Sequence, residues 1–253
     1  MFRTPSGIYQ SSLFDHYSFI HGFSTKQFGD MRITEKRNVF LSTLNIQEKS
    51  LVWQEQTHGD GIHIVDPSDR GKSISGVDGL VWKQEIASSS RPHNDKSDSI
   101  VLSVHTADCI PLLACDPIAK VIGVAHAGWK GTVHHIGKKL IQEMVVQGSQ
   151  AKDIRVAIGP SVCGFCYPVD INRAEIFRKE FIHHKDIVKA RGDRVFVDIG
   201  KANYIDFTAY GVEPEHIDFD CSLCTFCKTD EFYSFRRSGK PLDGEILGVI
   251  GFR

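Results

Sequence analysis

A chain of 253 residues that is 41% hydrophobic and 24% charged has the composition of a globular protein, which excludes disordered, fibrous and collagen-like classes. With 30 basic residues against 31 acidic ones there is no excess charge to draw a phosphate backbone, and no segment nears the ~20 apolar residues that span a bilayer. Neither nucleic acid nor membrane is an expected partner, and the N-terminal residues lack a signal-peptide pattern, so a cytoplasmic location is expected.

In chain order, a helical pattern covers Thr34–Leu44, and apolar runs at Ile62–Val65 and Gly79–Trp82 predict strands. The polar stretch 87–99, ASSSRPHNDKSDS, reads as a surface loop. Further strands are expected at Ser99–Val104, Ile110–Cys115 and Val121–Ala125. A helix follows over Thr132–Gln147, where Val133, Ile136, Leu140, Ile141, Met144 and Val145 form one apolar stripe and Gly148 stops it. The remainder alternates: strand Ile154–Ile158, helix Ile171–His183, strand Val195–Val197, helix Lys201–Tyr210, then strands Phe232–Phe235 and Ile246–Ile250. Interleaved strands and helices, with one long loop and no second linker, predict one mixed α/β (α+β) domain over residues 1–253.

Seven cysteines, an odd number in a chain long enough to fold without disulfides, point to a reducing compartment where thiols serve as ligands or nucleophiles. Cys115, inside an apolar run, reads as core. If Asp116–Ala119 is the loop of a hairpin, Cys115 faces Lys120 and Cys109 falls opposite His126 on the same face. A loop one residue longer would send the two to opposite faces. Cys beside His makes an activated nucleophile, a metal site or a packed core pair. His58, in the Gly-containing loop Gln56-Thr57-His58-Gly59, completes a His2Cys set. That set suits zinc and leaves a fourth position for water or substrate.

The spacing Cys221-x-x-Cys224-x-x-Cys227, with Cys163-x-x-Cys166 elsewhere, is used for zinc or iron–sulfur centres. Without the fourth-ligand pattern of a bacterial ferredoxin, free thiols are the default expectation. His105 reads as a core or ligand-supporting residue, Trp129 as packing at a helix start, and His134 and His135 as solvated on a first helical turn.

Eight segments now combine: His21-Gly-Phe-Ser-Thr, Gln56-Thr-His-Gly, Val77-Asp-Gly-Leu-Val, Thr106-Ala-Asp-Cys-Ile-Pro, Ala125-His-Ala-Gly-Trp-Lys-Gly-Thr, Ile158-Gly-Pro, Cys224-Thr and Phe232-Tyr-Ser-Phe-Arg-Arg. Together, in this order over nearly the whole chain, they resemble the multicopper polyphenol oxidase or laccase-domain family, whose members are regarded largely as zinc-dependent purine nucleoside enzymes. The resemblance implies a fold similar to the catalytic domain of deamidating bacterial toxins, and one zinc per chain on His58, Cys109 and His126. It also implies phosphorolysis of adenosine, inosine, guanosine and methylthioadenosine, and deamination of adenosine to inosine, with nucleoside and phosphate as small-molecule partners. Phenol oxidation with copper, or editing of peptidoglycan precursors by a Cys–His hydrolase in which Cys109 is nucleophile and His126 base, are the alternatives.

Chemistry on such a substrate needs a proton carrier and a phosphate site. Asp108, beside Cys109, is the positional candidate for general acid/base, with a role in holding a turn or a ligand as the alternative. Arg236 and Lys26 are the candidate phosphate-binding cations, with Arg236 and Arg237 expected on an edge strand. The chain departs from the family at Lys26-Gln27-Phe28-Gly29-Asp30, which runs almost directly into the helix at Thr34 and so shortens the N-terminal edge of the pocket that sets substrate range, and at Tyr167-Pro168 and Asp243-Gly244, to which family roles are not carried.

Overall fold

The protein is described by a computed structural model covering residues 1–84 and 99–253, so the expected loop at 87–99 lies almost wholly outside the described residues. From the N-terminus, β1 (Phe2–Arg3), β2 (Tyr9–Gln10) and β3 (Phe19–Phe23) precede α1 (Thr34–Thr43). Then come β4 (Leu51–Glu55), β5 (Ile62–Ile64), β6 (Ser73–Ser75), β7 (Gly79–Lys83), β8 (Val101–Thr106), β9 (Ile110–Asp116) and β10 (Val121–Ala127). The second half holds α2 (Trp129–Val133), α3 (Ile136–Val146), β11 (Arg155–Ile158), β12 (Pro168–Val169) and α4 (Ile171–Glu180). It continues with β13 (Val188–Arg191), β14 (Arg194–Val197), α5 (Ile199–Tyr210), β15 (Ile217–Phe219), α6 (Phe235–Ser238) and β16 (Ile246–Phe252).

Two mixed sheets stack face to face. One runs β1-β2-β3-β16-β8-β4-β6 and the other β15-β11-β9-β10-β7-β5, while β12, β14 and β13 form a small separate sheet. Between the large sheets lies a core of Phe23, Leu102, Val104, Leu113, Cys115, Ile122, Val124 and Ile250, which confirms Cys115 as packing. On the outer face of the first sheet, Phe40 and Leu41 of α1 cover Leu51, Val101 and Val249. On the outer face of the second, Ile136, Leu140, Ile141 and Met144 of α3, with Phe177 of α4 and Phe207 of α5, cover Val81, Leu112, Ala114 and Ala125. Both sheets are thus covered on both faces. This is why β9, β10 and β16 read as unbroken apolar runs rather than alternating ones.

The hairpin β9–β10 has the expected four-residue loop, displaced by one position to 117–120. Asp116 stays in the strand, pairs with Val121, and its carboxylate accepts the backbone N–H groups of Ile118 and Ala119 at 2.7 and 2.9 Å. Lys120 takes the left-handed conformation, φ 57°, that closes the turn. His126 therefore pairs with Pro111, not with Cys109. The displacement is two residues in register, and because a strand's side chains alternate with period two, Cys109 and His126 still share a face.

Two further expectations are corrected. The helix expected over Thr132–Gln147 is broken into α2 and α3 at His135, whose φ is 58°. Its imidazole is not solvated as expected: Nδ1 lies 2.8 Å from Asp206 and Nε2 2.9 Å from Glu180, tying the break to α5 and α4. Those hydrogen bonds push the His135 pKa up to about 9, even though burial lowers it. Burial pushes its partner Asp206 up as well, against the pull of the imidazole. Phe232–Phe235 is not a strand. Ser234 instead caps α6 by accepting from Arg237 N–H, so Arg236 and Arg237 stand on a helical turn.

Candidate metal centre and active site

Two loops and the end of β10 deliver His58, Cys109 and His126, and their donor atoms all lie within 4.8 Å of one another. The imidazoles of His58 and His126 meet edge to face, 4.7 Å between centroids at 84°, so their nitrogens converge beside the thiol rather than stack. His126 is buried and His58 exposed, which leaves the group open to solvent on the His58 side.

Asp78, in the Val77-Asp-Gly-Leu-Val segment and without a role legible from spacing, is what assembles this group. It is fully buried at the start of β7, and one carboxylate oxygen bonds His126 Nδ1 at 2.8 Å. The carboxylate also accepts the backbone N–H groups of Thr57, His58 and Gly59 at 3.1, 3.0 and 2.8 Å and the Thr57 hydroxyl at 2.9 Å. One carboxylate thereby fixes both the loop that carries His58, itself left-handed at φ 58°, and the tautomer of His126 that turns Nε2 toward Cys109. Burial alone would raise the Asp78 pKa, but the bonds from His126, Gly59 and Thr57 hold it well below the usual carboxylate range.

The same balance acts on the donors. Burial disfavours the Cys109 thiolate, yet the charge and hydrogen bond of His126, with a hydrogen bond from His58, push the thiol down to about 6. His126 is pushed up to about 9 against burial, by the Cys109 thiolate and by Asp78. Gly128 forms the floor: a Cβ there would stand 3.2 Å from His58 Cδ2, 3.3 Å from Cys109 Sγ and 3.6 Å from His126 Cε1. A converging His2Cys set with a carboxylate behind one imidazole and a floor lacking a side chain fits a borderline-soft metal ion.

Asp108 occupies the turn before Cys109 with φ 101°, a conformation that an L-residue holds only when its surroundings impose it. Its carboxylate accepts from Thr225 Oγ1 at 2.6 Å, Ser234 Oγ at 3.0 Å and the Arg236 backbone N–H at 2.7 Å, and its carbonyl accepts from Val162 N–H at 3.0 Å. Burial pushes its pKa up, opposed by those donors. Of the two roles weighed for Asp108, this geometry matches the one that holds a turn and orients the neighbouring ligand.

Arg236 lies beside the donors through Tyr167. Its guanidinium stacks 4.2 Å from the Tyr167 ring centroid and donates to the Pro168 carbonyl at 2.7 Å. A second cation, unassigned by sequence, joins it: Arg173 on α4 stacks 4.3 Å from the Trp129 ring centroid and reaches Tyr167 Oη at 3.4 Å. Its Nε is buried without a partner among the described residues. Trp129 is thus a packing residue, as expected, that also carries an arginine. Lys26 is placed differently, donating to the Thr229 carbonyl at 2.8 Å and lying 5.2 Å from the Tyr233 ring centroid. Arg237 is bound to the carbonyls of Thr225, Phe226 and Phe232. His105 keeps Nδ1 3.4 Å from Glu245.

The model of the multi-copper polyphenol oxidoreductase laccase family matches residues 25–253. The chain belongs to this family. Among curated members, adenosine deaminase RL5 from an unknown prokaryotic organism is 32% identical over 229 residues, covering 87% of this chain and 82% of that protein. Purine nucleoside phosphorylase YlmD of Bacillus subtilis (strain 168) is 30% identical over 237 residues, covering 88% and 78% of the two chains. The fold of the family is seen in the crystal structure of YlmD from Geobacillus stearothermophilus, which superposes with a TM-score of 0.82 at 27% identity over 96% of this chain and 94% of that one. The expected family and mixed α/β fold are both borne out.

Proposed function

We propose that this protein is a zinc-dependent purine nucleoside enzyme. It cleaves adenosine, inosine, guanosine or methylthioadenosine with phosphate to the free base and the ribose or methylthioribose 1-phosphate, and converts adenosine and water to inosine and ammonia. The carrying observation is the convergence of His58, Cys109 and His126 within 4.8 Å beside an arginine–aromatic wall. The names of the relatives, a deaminase of adenosine and a purine nucleoside phosphorylase, support the substrate class.

His58 Nε2 or Nδ1, Cys109 Sγ and His126 Nε2 would hold the zinc. When bound, it supplies Lewis acidity that makes water nucleophilic near neutral pH. Asp78 holds the His126 ring in the ligating tautomer through Nδ1. Arg173 and Arg236 are assigned to the phosphate, because planar guanidinium groups match its oxygens in pairs. Lys26, committed to the Thr229 carbonyl, is not part of that assignment. The rings of Trp129 and Tyr167 stand where they can exclude water from a nucleoside. Asp108 positions Cys109 and the Arg236 backbone rather than carrying protons.

A second reading has its own observation. Cys109, His126 and Asp78 lie in sequence as thiol, imidazole and carboxylate, with the thiol pushed down to about 6, which is the arrangement of a nucleophilic cysteine hydrolase. The copper oxidase reading has less support, since one His2Cys set is short of a multicopper centre. The deciding experiment is an adenosine-plus-phosphate assay for adenine and inosine before and after chelation, with metal analysis of the same sample. Products that chelation abolishes and zinc restores support the proposal. Metal-free protein that forms neither product, or activity that survives chelation and is lost to a thiol-alkylating reagent, sinks it in favour of the nucleophile.

A further inference from the structure

A second donor cluster lies outside the site just described. Cys163, Cys166, Cys224 and Cys227 bring their sulfurs within 4.8 Å of one another, while Cys221 stands exposed outside the group. The spacing that the sequence offered as one run of three cysteines resolves instead into two Cys-x-x-Cys turns, 163–166 and 224–227, facing each other. Zn–S bonds of about 2.3 Å in a tetrahedron put sulfurs roughly 3.8 Å apart. Here the Cys166 and Cys227 sulfurs are 3.3 Å apart and the cluster spans no more than 4.8 Å, so the four surround a volume that a single ion fills. A disulfide would need about 2.05 Å between sulfurs, and all seven cysteines are free.

The backbone reaches one of the thiols directly. The Cys163 N–H points to Cys224 Sγ at 3.4 Å, an amide of one turn facing the first sulfur of the other. That amide favours the charged form of Cys224. The two turns are also locked together by main chain. Ser161 and Cys224 form a parallel bridge, with Ser161 N–H to Leu223 O at 3.2 Å and Thr225 N–H to Ser161 O at 3.0 Å.

We propose that Cys163, Cys166, Cys224 and Cys227 form a structural zinc site of four thiolate ligands, closed to water and substrate, that clamps the segment after β11 to the segment before α6. Its position gives it a consequence for the active site. Cys166 directly precedes Tyr167, on which Arg236 stacks, and Cys224 directly precedes Thr225, which donates to Asp108. The clamp fixes both segments that support the Arg236 side of the pocket. Binding releases the thiol protons that remain and requires no redox partner. This inference does not depend on the proposed reaction.

The test is zinc content of protein purified without added metal, in two variants that separate the sites. His58→Ala/His126→Ala should retain about one zinc per chain, resistant to mild chelation, and Cys163→Ser/Cys227→Ser should lose it. Should the cysteine variant fail to fold, the histidine variant loaded with cobalt decides the matter. An absorption spectrum of tetrahedral cobalt with sulfur charge-transfer intensity appropriate to four thiolates supports the site. A histidine variant that is metal-free with cysteines open to a thiol reagent, or joined as disulfides, or that carries an iron–sulfur chromophore, overturns it.

Discussion

The His58, Cys109 and His126 group and the four-cysteine cluster are both assembled from distant parts of the chain, yet they are held in opposite ways. In the first, the donors come from two separate loops and the end of β10 and are aligned by a buried carboxylate, with His58 and Asp108 in left-handed backbone conformations. In the second, pairs of donors come from two short turns joined by a main-chain bridge and an amide of one on a sulfur of the other, and the ion itself would supply the remaining cohesion. Three donors leave a coordination position open for chemistry, whereas four thiolates close it. An open site is supported by a side chain behind its ligands, while the closed one is held by the main-chain bridge between its ligand turns together with the ion.

The largest expected effect follows from removing that support. Asp78→Ala leaves the His126 Nδ1 and three loop amides unpartnered in a buried place, which should cost ~3–5 kcal/mol in stability and ~10–100-fold in metal affinity at the open site. Denaturant unfolding and zinc titration measure the two, and the cysteine cluster should keep its zinc. Loss of both ions together would break the contrast. Gly128→Ala places a methyl group against His58, Cys109 and His126, and overpacking of ~1–3 kcal/mol is expected, seen as weaker zinc binding with activity restored by excess zinc. An unchanged affinity would show that the floor has room to give.

Two smaller effects sharpen the picture. Arg236→Lys keeps the charge but loses the planar fork stacked on Tyr167, so KM for phosphate should rise about tenfold, or ~1.4 kcal/mol, while kcat changes less. A kcat loss with unchanged KM would assign Arg236 elsewhere. His135→Ala, a member of neither cluster, should leave both zinc ions in place and lower Tm by ~2 °C, the scale of a partly exposed ion pair. Because the folded pKa of His135 is raised to about 9 from 6.5, its stabilisation is fully present below about pH 6.5 and fades as pH rises through about 9. Thermal melts of both proteins across that range should therefore converge at high pH, and a constant gap would rule out titration of His135 as the cause.

Much of the architecture could be read from local pattern. The apolar stripe of α3 set its buried face, and the strand runs around Cys109 and His126 located β9 and β10 within one or two residues. The shared face of Cys109 and His126 survived a two-residue slip in register because only parity matters to it. What failed locally did so because a distant group intervened. His135 breaks a continuous stripe since Asp206 and Glu180 hold it, and Phe232–Phe235 leaves the strand conformation where Ser234 bonds Asp108 and caps α6.

The sequence by itself determined the fold class and the family and singled out His58, Cys109 and His126 as one group, because residue type, short motifs and short-range periodicity carry that information. Only the tertiary structure decided that Asp78 organises those donors from 48 positions away from His126, and that Arg173 joins Arg236 beside them. It alone decided which cysteines meet, with Cys163 and Cys224 separated by 61 residues. Such contacts depend on the path of the chain across two stacked sheets, and no local pattern of spacing encodes that path.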